Sequence, residues 1–172
     1  ADRGAGTRAH VLISGPSGAG KSLLARRICA RAAMAVAPVQ IDAEACDALP
    51  EGSGLWVIDA VDRLSASLQR ALADRLDGAA PPRLIALLGG DRTEAARALY
   101  PPLRLHLETV PLHLPPLDGR REDIAALATH FARYFAARHG CPEPVLDEQD
   151  LAQLTAPRVA RRARQRRSIA RF

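Results

Sequence analysis

The run Gly15-Pro16-Ser17-Gly18-Ala19-Gly20-Lys21-Ser22 constrains this chain more than any other feature. It satisfies GxxxxGK[ST] at every required position. Its context also fits: the apolar stretch Val11-Leu12-Ile13 precedes it and a helical pattern follows. Glycines at such a turn let backbone N–H groups point inward and wrap phosphate oxygens. The N-terminus of the next helix adds a fixed partial positive charge. In this arrangement a lysine ammonium reaches the β- and γ-phosphates, and the following hydroxyl serves Mg²⁺. Lys21 is the only lysine in the chain, whose other basic side chains apart from histidine are all arginine. The expected ligand is ATP or ADP with Mg²⁺. The contacting residues are expected to be Gly15, Pro16, Ser17, Gly18, Ala19, Gly20, Lys21, Ser22 and Leu23.

A second element supports this. Leu55-Trp56-Val57-Ile58 is a continuous apolar run, as in a parallel strand covered on both faces, and it ends in Asp59. An acid at the end of such a strand, downstream of a phosphate loop, is the Walker B pattern. Asp59 would share Mg²⁺ with Ser22, directly or through water. Hydrolysis usually needs a further carboxylate just after that acid, and here the next residue is Ala60. Losing a general base costs about 10²–10⁴ in rate. Asp62 is three residues on and need not face the same water.

The rest of the pattern alternates strands and helices. Val39–Ile41 and Leu84–Leu88 read as strands, and Leu107–Leu112 as a last one. Helices are expected from Ser22 to about Ala35, with Leu24, Ile28 and Ala32 on one face, and from Leu64 to Leu76, with leucines every fourth residue. Thr93 caps a short helix through Leu99, and further helices span Arg120–Arg138 and Leu146–Leu154. This order predicts an α/β fold of the P-loop NTPase type: a parallel sheet sandwiched by helices, with a small helical lid remnant. The expected division is 1–138 for the α/β body and 139–172 for a partial lid and basic tail.

Bulk composition narrows the class further. The chain is 48% hydrophobic but only 3% aromatic, so its core must be aliphatic. The net charge of +5 is a property of the tail: seven arginines lie between Arg158 and Arg171 with no acid among them. Without those seven, the basic residues fall just below the 19 acidic ones. The tail reads as a solvated terminus, with DNA binding as the sharper alternative. Cys29, Cys46 and Cys141 are scattered and form no CxxC pair, which suits free thiols in a reducing cytosol. No apolar run approaches membrane-spanning length and no secretory leader opens the chain, so a cytoplasmic location is expected. The chain opens at Ala1 rather than Met and reads as a trimmed fragment.

Three stretches carry a family resemblance: Val11 to Arg26, Leu55 to Leu64, and Val110 to Phe131. The third contains Pro111-Leu112-His113-Leu114-Pro115-Pro116-Leu117, then Arg120-Arg121-Glu122-Asp123-Ile124, and is far more specific than a P-loop alone. The chain resembles the AAA+ domain of bacterial enhancer-binding proteins, the activators of sigma-54 RNA polymerase, over most of residues 10 to 155. The resemblance implies an ATP-driven regulatory domain whose partners are RNA polymerase or its sigma factor, sister subunits of a ring, and DNA through a separate C-terminal domain. It also implies losses. The family has a long insertion bearing the sigma-54 contact loop between its second and third strands, where this chain has only about Cys46 to Gly54. The sensor-1 asparagine falls on Gly89, the finger arginines on Tyr100 and His106 with Arg97 and Arg104 nearby, and the sensor-2 arginine on Ala160 between Arg158 and Arg161.

The expected function is therefore an ATP-binding regulatory domain, impaired in hydrolysis and in direct sigma-54 contact. Two other readings stay open: a catalytically inactive interaction or scaffold module of a larger regulator, and a small working NTPase using Asp59 or Asp62.

Overall fold

Five short apolar segments, each ending at Gly, Asp or a Pro-containing turn, become five parallel strands. The structure, a computed structural model, describes residues 9–32, 37–90 and 97–155. Within these, β1 is Val11–Gly15, β2 Val39–Asp42, β3 Leu55–Asp59, β4 Arg83–Gly89 and β5 Val110–His113. They form one sheet in the order β2-β3-β4-β1-β5. Each pairing is parallel, with Val11 level with both Ile85 and Val110, and Ile58 level with Ala86.

Successive strand residues point to opposite faces, and both faces are covered. Leu12, Trp56, Ile58, Leu84, Ala86 and Leu88 pack in one core cluster with residues of helices α2 (Ala66–Leu76) and α3 (Pro101–Leu107). Val11, Ile13, Leu55, Val57, Ile85 and Leu87 form the other, with Ala25 and Ile28 of α1 (Lys21–Arg31). Helices on both faces of a parallel sheet are the α/β architecture expected from the sequence.

Helix boundaries follow local chemistry. Helix α2 begins two residues later than the leucine spacing suggests, because the Ser65 hydroxyl accepts from the Leu68 N–H at 3.3 Å and fixes Ser65 as the N-cap. Leu64 stays buried ahead of it. Helix α3 is absent from the sequence reading, which carried a strand over Leu107–Leu112. Pro101 and Pro102 occupy the first positions of α3, where a missing N–H costs nothing. Leu103 and Leu107, one turn apart, are fully buried, and the strand starts only at Val110. The helix expected from Thr93 lies largely outside the described residues, as does the arginine-rich tail.

The chain separates into two compact units, Ala1–Leu114 and Pro115–Phe172. The sheet body is the first. The second begins before α4 (Asp123–His139), which the sequence reading had kept with the body up to residue 138. Helix α4 closes at Gly140, in the left-handed conformation that favours glycine, and packs on α5 (Glu148–Thr155). Arg133 pairs with Glu143 across that turn. Phe131, Tyr134 and Phe135 remain about half exposed on α4. Among the described residues no helix is long and apolar enough to cross a membrane.

At the edge of the sheet opposite the glycine-rich loop, His10 Nδ1 accepts from the Leu84 N–H at 3.2 Å, which requires a neutral ring nitrogen. Burial, then the neighbouring His106, then Arg83 push the His10 imidazole below its ordinary range. The native state thus favours the neutral ring, and the unfolded chain takes up the proton first as pH falls. Stability should therefore drop on acidification below about pH 6.5, the ordinary histidine value. Urea midpoints measured between pH 7.5 and 5.5 should show this slope, and His10→Gln should flatten it.

Candidate functional site

Strand β1 is buried along its whole length and delivers Gly15 to the C-terminal edge of the sheet. Gly15 has φ +150°, and a Cβ there would run into the Leu114 carbonyl oxygen. The approach is close because the Leu114 N–H donates to the Ser14 carbonyl at 2.8 Å, continuing the β1–β5 ladder by one residue. Glycine is thus the residue that lets the chain turn here.

The loop that follows is tight. The Ala19 N–H donates to the Pro16 carbonyl at 3.1 Å, and Gly18 and Gly20 adopt φ +74° and +92°. Gly20 is the N-cap of α1, no side chain caps this helix, and no acid lies in its first turn. Among the described residues no side chain caps the positive end of the helix, a condition that suits a bound anion. The Lys21 ammonium lies back across the loop, donating to the Gly15 carbonyl at 2.9 Å and the Pro16 carbonyl at 3.1 Å. Ser17, Gly18, Ser22 and Leu23 are exposed, while Ala19 is buried and Pro16 half-buried beneath them.

Asp59 ends β3 on the same edge. Ile58 is level with Ala86 and Ala86 with Leu12, so Asp59 stands about level with Ile13. Strand β4 alone intervenes, which sets the two backbones roughly 10 Å apart. A hydroxyl (Ser22) and an exposed carboxylate (Asp59), both hard oxygen donors, fit Mg²⁺, which is commonly held by one or two protein groups together with substrate phosphates. No cluster of three or more metal-ligating His, Cys, Asp or Glu occurs among the described residues.

Ala60 follows with φ +52° and ψ +50°, the only non-glycine with positive φ among the described residues. That conformation costs an alanine about 1–2 kcal/mol. Val61–Arg63 then forms a 3₁₀ turn, closed by the Arg63 N–H on the Ala60 carbonyl at 2.7 Å. The sequence held no sign of this strain, since neither Gly nor Asn marks the position. Asp62, the alternative acid, is largely buried: its Oδ2 lies 3.7 Å from Arg63 Nε and its Oδ1 is shielded from solvent.

The other described positions singled out by the sequence lie at the end of β4 and on or just before α3. Gly89 ends β4 without a side chain, and a Cβ added there would meet nothing within 4 Å. His106 pairs with Asp77 at 3.2 Å, and Arg104 faces Glu108, the C-cap of its helix, at 3.9 Å. Arg97 is exposed. Ala160, Arg158 and Arg161 lie outside the described residues. Between β2 and β3 the chain makes only the 3₁₀ turn Ala43–Ala45 and a short loop. Arg75 donates to the Gly52 carbonyl at 3.0 Å and lies over the Trp56 ring, pinning that loop to α2.

No family model matches the chain. The transcriptional regulatory protein FlbD of Caulobacter vibrioides is 27% identical over 202 residues, covering 92% of this chain and 44% of FlbD. A structure of NtrX from Brucella abortus in complex with ATP superposes with a TM-score of 0.72 at 27% identity, over 96% of this chain and 47% of NtrX. The P-loop NTPase domain of a sigma-54 activator from Escherichia coli shares the fold, with a TM-score of 0.54 at 22% identity over 66% of this chain and 87% of that domain. The chain thus spans less than half the length of FlbD and NtrX. A five-stranded parallel sheet in this order, a P-loop between β1 and α1, and near-complete coverage by FlbD and NtrX together make the chain an α/β domain of P-loop NTPase fold that is similar to these proteins over most of its length.

Proposed function

We propose that this chain is an ATP-binding regulatory domain of the sigma-54-activator type that binds nucleotide through Gly15–Leu23 and turns it over very slowly. The observation that carries the reading is a nucleotide-ready loop beside an acid loop without a general base. The glycine turns, the uncapped positive end of α1 and the Lys21 ammonium converge on one edge of the sheet. On that same edge, Ala60 stands where a water-orienting carboxylate is needed, and Gly89 brings no polar side chain. Mg²⁺, with Ser22 and Asp59 as its protein ligands, would screen the phosphate charge. Lys21 would leave its two carbonyl partners for phosphate oxygens, and the α1 N-terminus would hold the anion in place. NtrX, the relative crystallised with ATP, supports the choice of nucleotide.

The short β2–β3 connection leaves no room for an extended contact loop, which supports a role other than direct engagement of sigma-54. Sister subunits of the same assembly are the partners this reading favours.

Phosphate release at saturating Mg·ATP, compared between the wild type and Ala60→Glu, tests the impairment. A single added carboxylate should raise turnover by less than about tenfold, since an arginine finger alone is worth 10³–10⁵. A rise of about 100-fold or more would mean that only the general base is missing, and would return the chain to the working NTPases.

A further inference from the structure

Among the described residues only Ser14 and Gln69 are buried polar side chains. Gln69 occupies the fourth position of α2. A hydrophobic side chain there ordinarily packs on the residue before the N-cap. Leu64 holds that second position here, yet an amide stands where its apolar partner is expected.

The amide makes two hydrogen bonds to two different segments. Its Nε2 donates to the Leu64 carbonyl at 2.9 Å, and its Oε1 accepts from the Tyr100 N–H at 2.7 Å. One partner needs a donor and the other an acceptor, so the amide has a single orientation. Leu64 ends the acid loop that begins at Asp59 and includes strained Ala60. Tyr100 is the N-cap of α3, and the next two residues are prolines that donate nothing. The other end of α3 is tied to α2 by the exposed His106–Asp77 pair. Helix α3 therefore runs parallel to α2, and its buried anchor is shared with the acid loop.

We propose that Gln69 is a positioning residue that couples the Asp59–Leu64 loop to helix α3, so that Mg·nucleotide at the P-loop alters how α3 is held. Helix α3 carries Leu105, which is 71% exposed, and Arg104, so a change in its docking is displayed on the surface. The nucleotide part of this proposal rests on the binding proposed above; the loop-to-helix coupling does not.

Hydrogen exchange on the full chain tests both parts. In the wild type, Mg·ATP should slow exchange at residues 60–64 and at 100–107. In Gln69→Leu, Mg·ATP should bind within about threefold of wild type and still protect 15–22 and 60–64, but leave 100–107 unchanged. A second arm needs no nucleotide. Ala60→Gly relaxes the acid loop and should change exchange at Tyr100 by about threefold or more when Gln69 is present, and not in the Gln69→Leu background.

Gln69→Glu separates coupling from simple packing. A protonated carboxyl can donate to Leu64 and accept from Tyr100, whereas an ionised one cannot, and burial favours the protonated form. The charged and titratable groups on the flanking elements are Asp62 and Arg63 on the turn, Arg70, Asp74 and Arg75 on α2, and Arg104 and His106 on α3. Coupling in this variant should return on acidification, relative to wild type measured at the same pH. The proposal is overturned if Ala60→Gly shifts Tyr100 equally in both backgrounds or in neither, or if bound Mg·ATP protects 100–107 equally with and without Gln69. If the wild type binds no nucleotide, the binding proposal fails while the Ala60→Gly arm still decides the coupling.

Discussion

Lys21→Ala should lower the affinity for Mg·ATP and Mg·ADP at least about 100-fold, while leaving the fold intact. In the structure the ammonium rests on the Gly15 and Pro16 carbonyls at 2.9 and 3.1 Å. It is thus already aligned over the loop that phosphates would occupy. Exchanging those carbonyls for phosphate oxygens creates charge-assisted hydrogen bonds worth about 1.5–3 kcal/mol each. Two of them correspond to about two or more orders of magnitude in Kd. Arginine should not substitute, although this chain uses it almost everywhere else. A planar guanidinium cannot present a compact point charge inside so tight a loop, so Lys21→Arg should also bind weakly. Calorimetric titration gives the affinities, and thermal unfolding of the same samples checks that each variant is folded.

Gly15→Ala should be the most damaging single methyl in the body. The new Cβ would collide with the Leu114 carbonyl oxygen, with the Leu114 carbonyl carbon and Cβ each 3.3 Å away. Backbone is not a flexible side-chain end and cannot swing aside. The φ of +150° adds conformational strain of its own. Either the loop shifts or the Leu114–Ser14 hydrogen bond opens, and the expected cost is about 2–4 kcal/mol in urea unfolding. Gly89→Ala is the control. It lies level with Gly15 on the neighbouring strand, has nothing within 4 Å of its would-be Cβ, and should change stability by less than about 1 kcal/mol.

Much of this was legible in the sequence because the signals were local. The P-loop is a contiguous pattern, and its strand and helix lie where the motif demands. The strands at Val11, Leu55 and Leu84 announce themselves as unbroken aliphatic runs, as strands buried on both faces must. What escaped was set by competition or by distance. Helix α3 was hidden because a proline pair is equally a loop signal and a helix-start signal, and only the burial of Leu103 and Leu107 decides between them. The strained Ala60 has no sequence mark, because its φ is imposed by the turn behind β3 rather than by its own preference. Gln69 is one of several polar positions along α2. Its role depends on Tyr100, 31 residues away, and no periodicity along one helix reveals such a partner. Close approach of Gly15 to Leu114 is likewise a fact of strand order, with β1 and β5 adjacent although about a hundred residues apart.

Titration of the wild type with Mg·ATP, with phosphate release followed in the same samples, tests the central claim most directly. The account predicts saturable binding at one site, with release at least about 10³-fold below the roughly 1 s⁻¹ that marks the low end of ordinary enzymes. Absence of saturable binding at millimolar nucleotide, or binding with turnover near that ordinary rate, would contradict it.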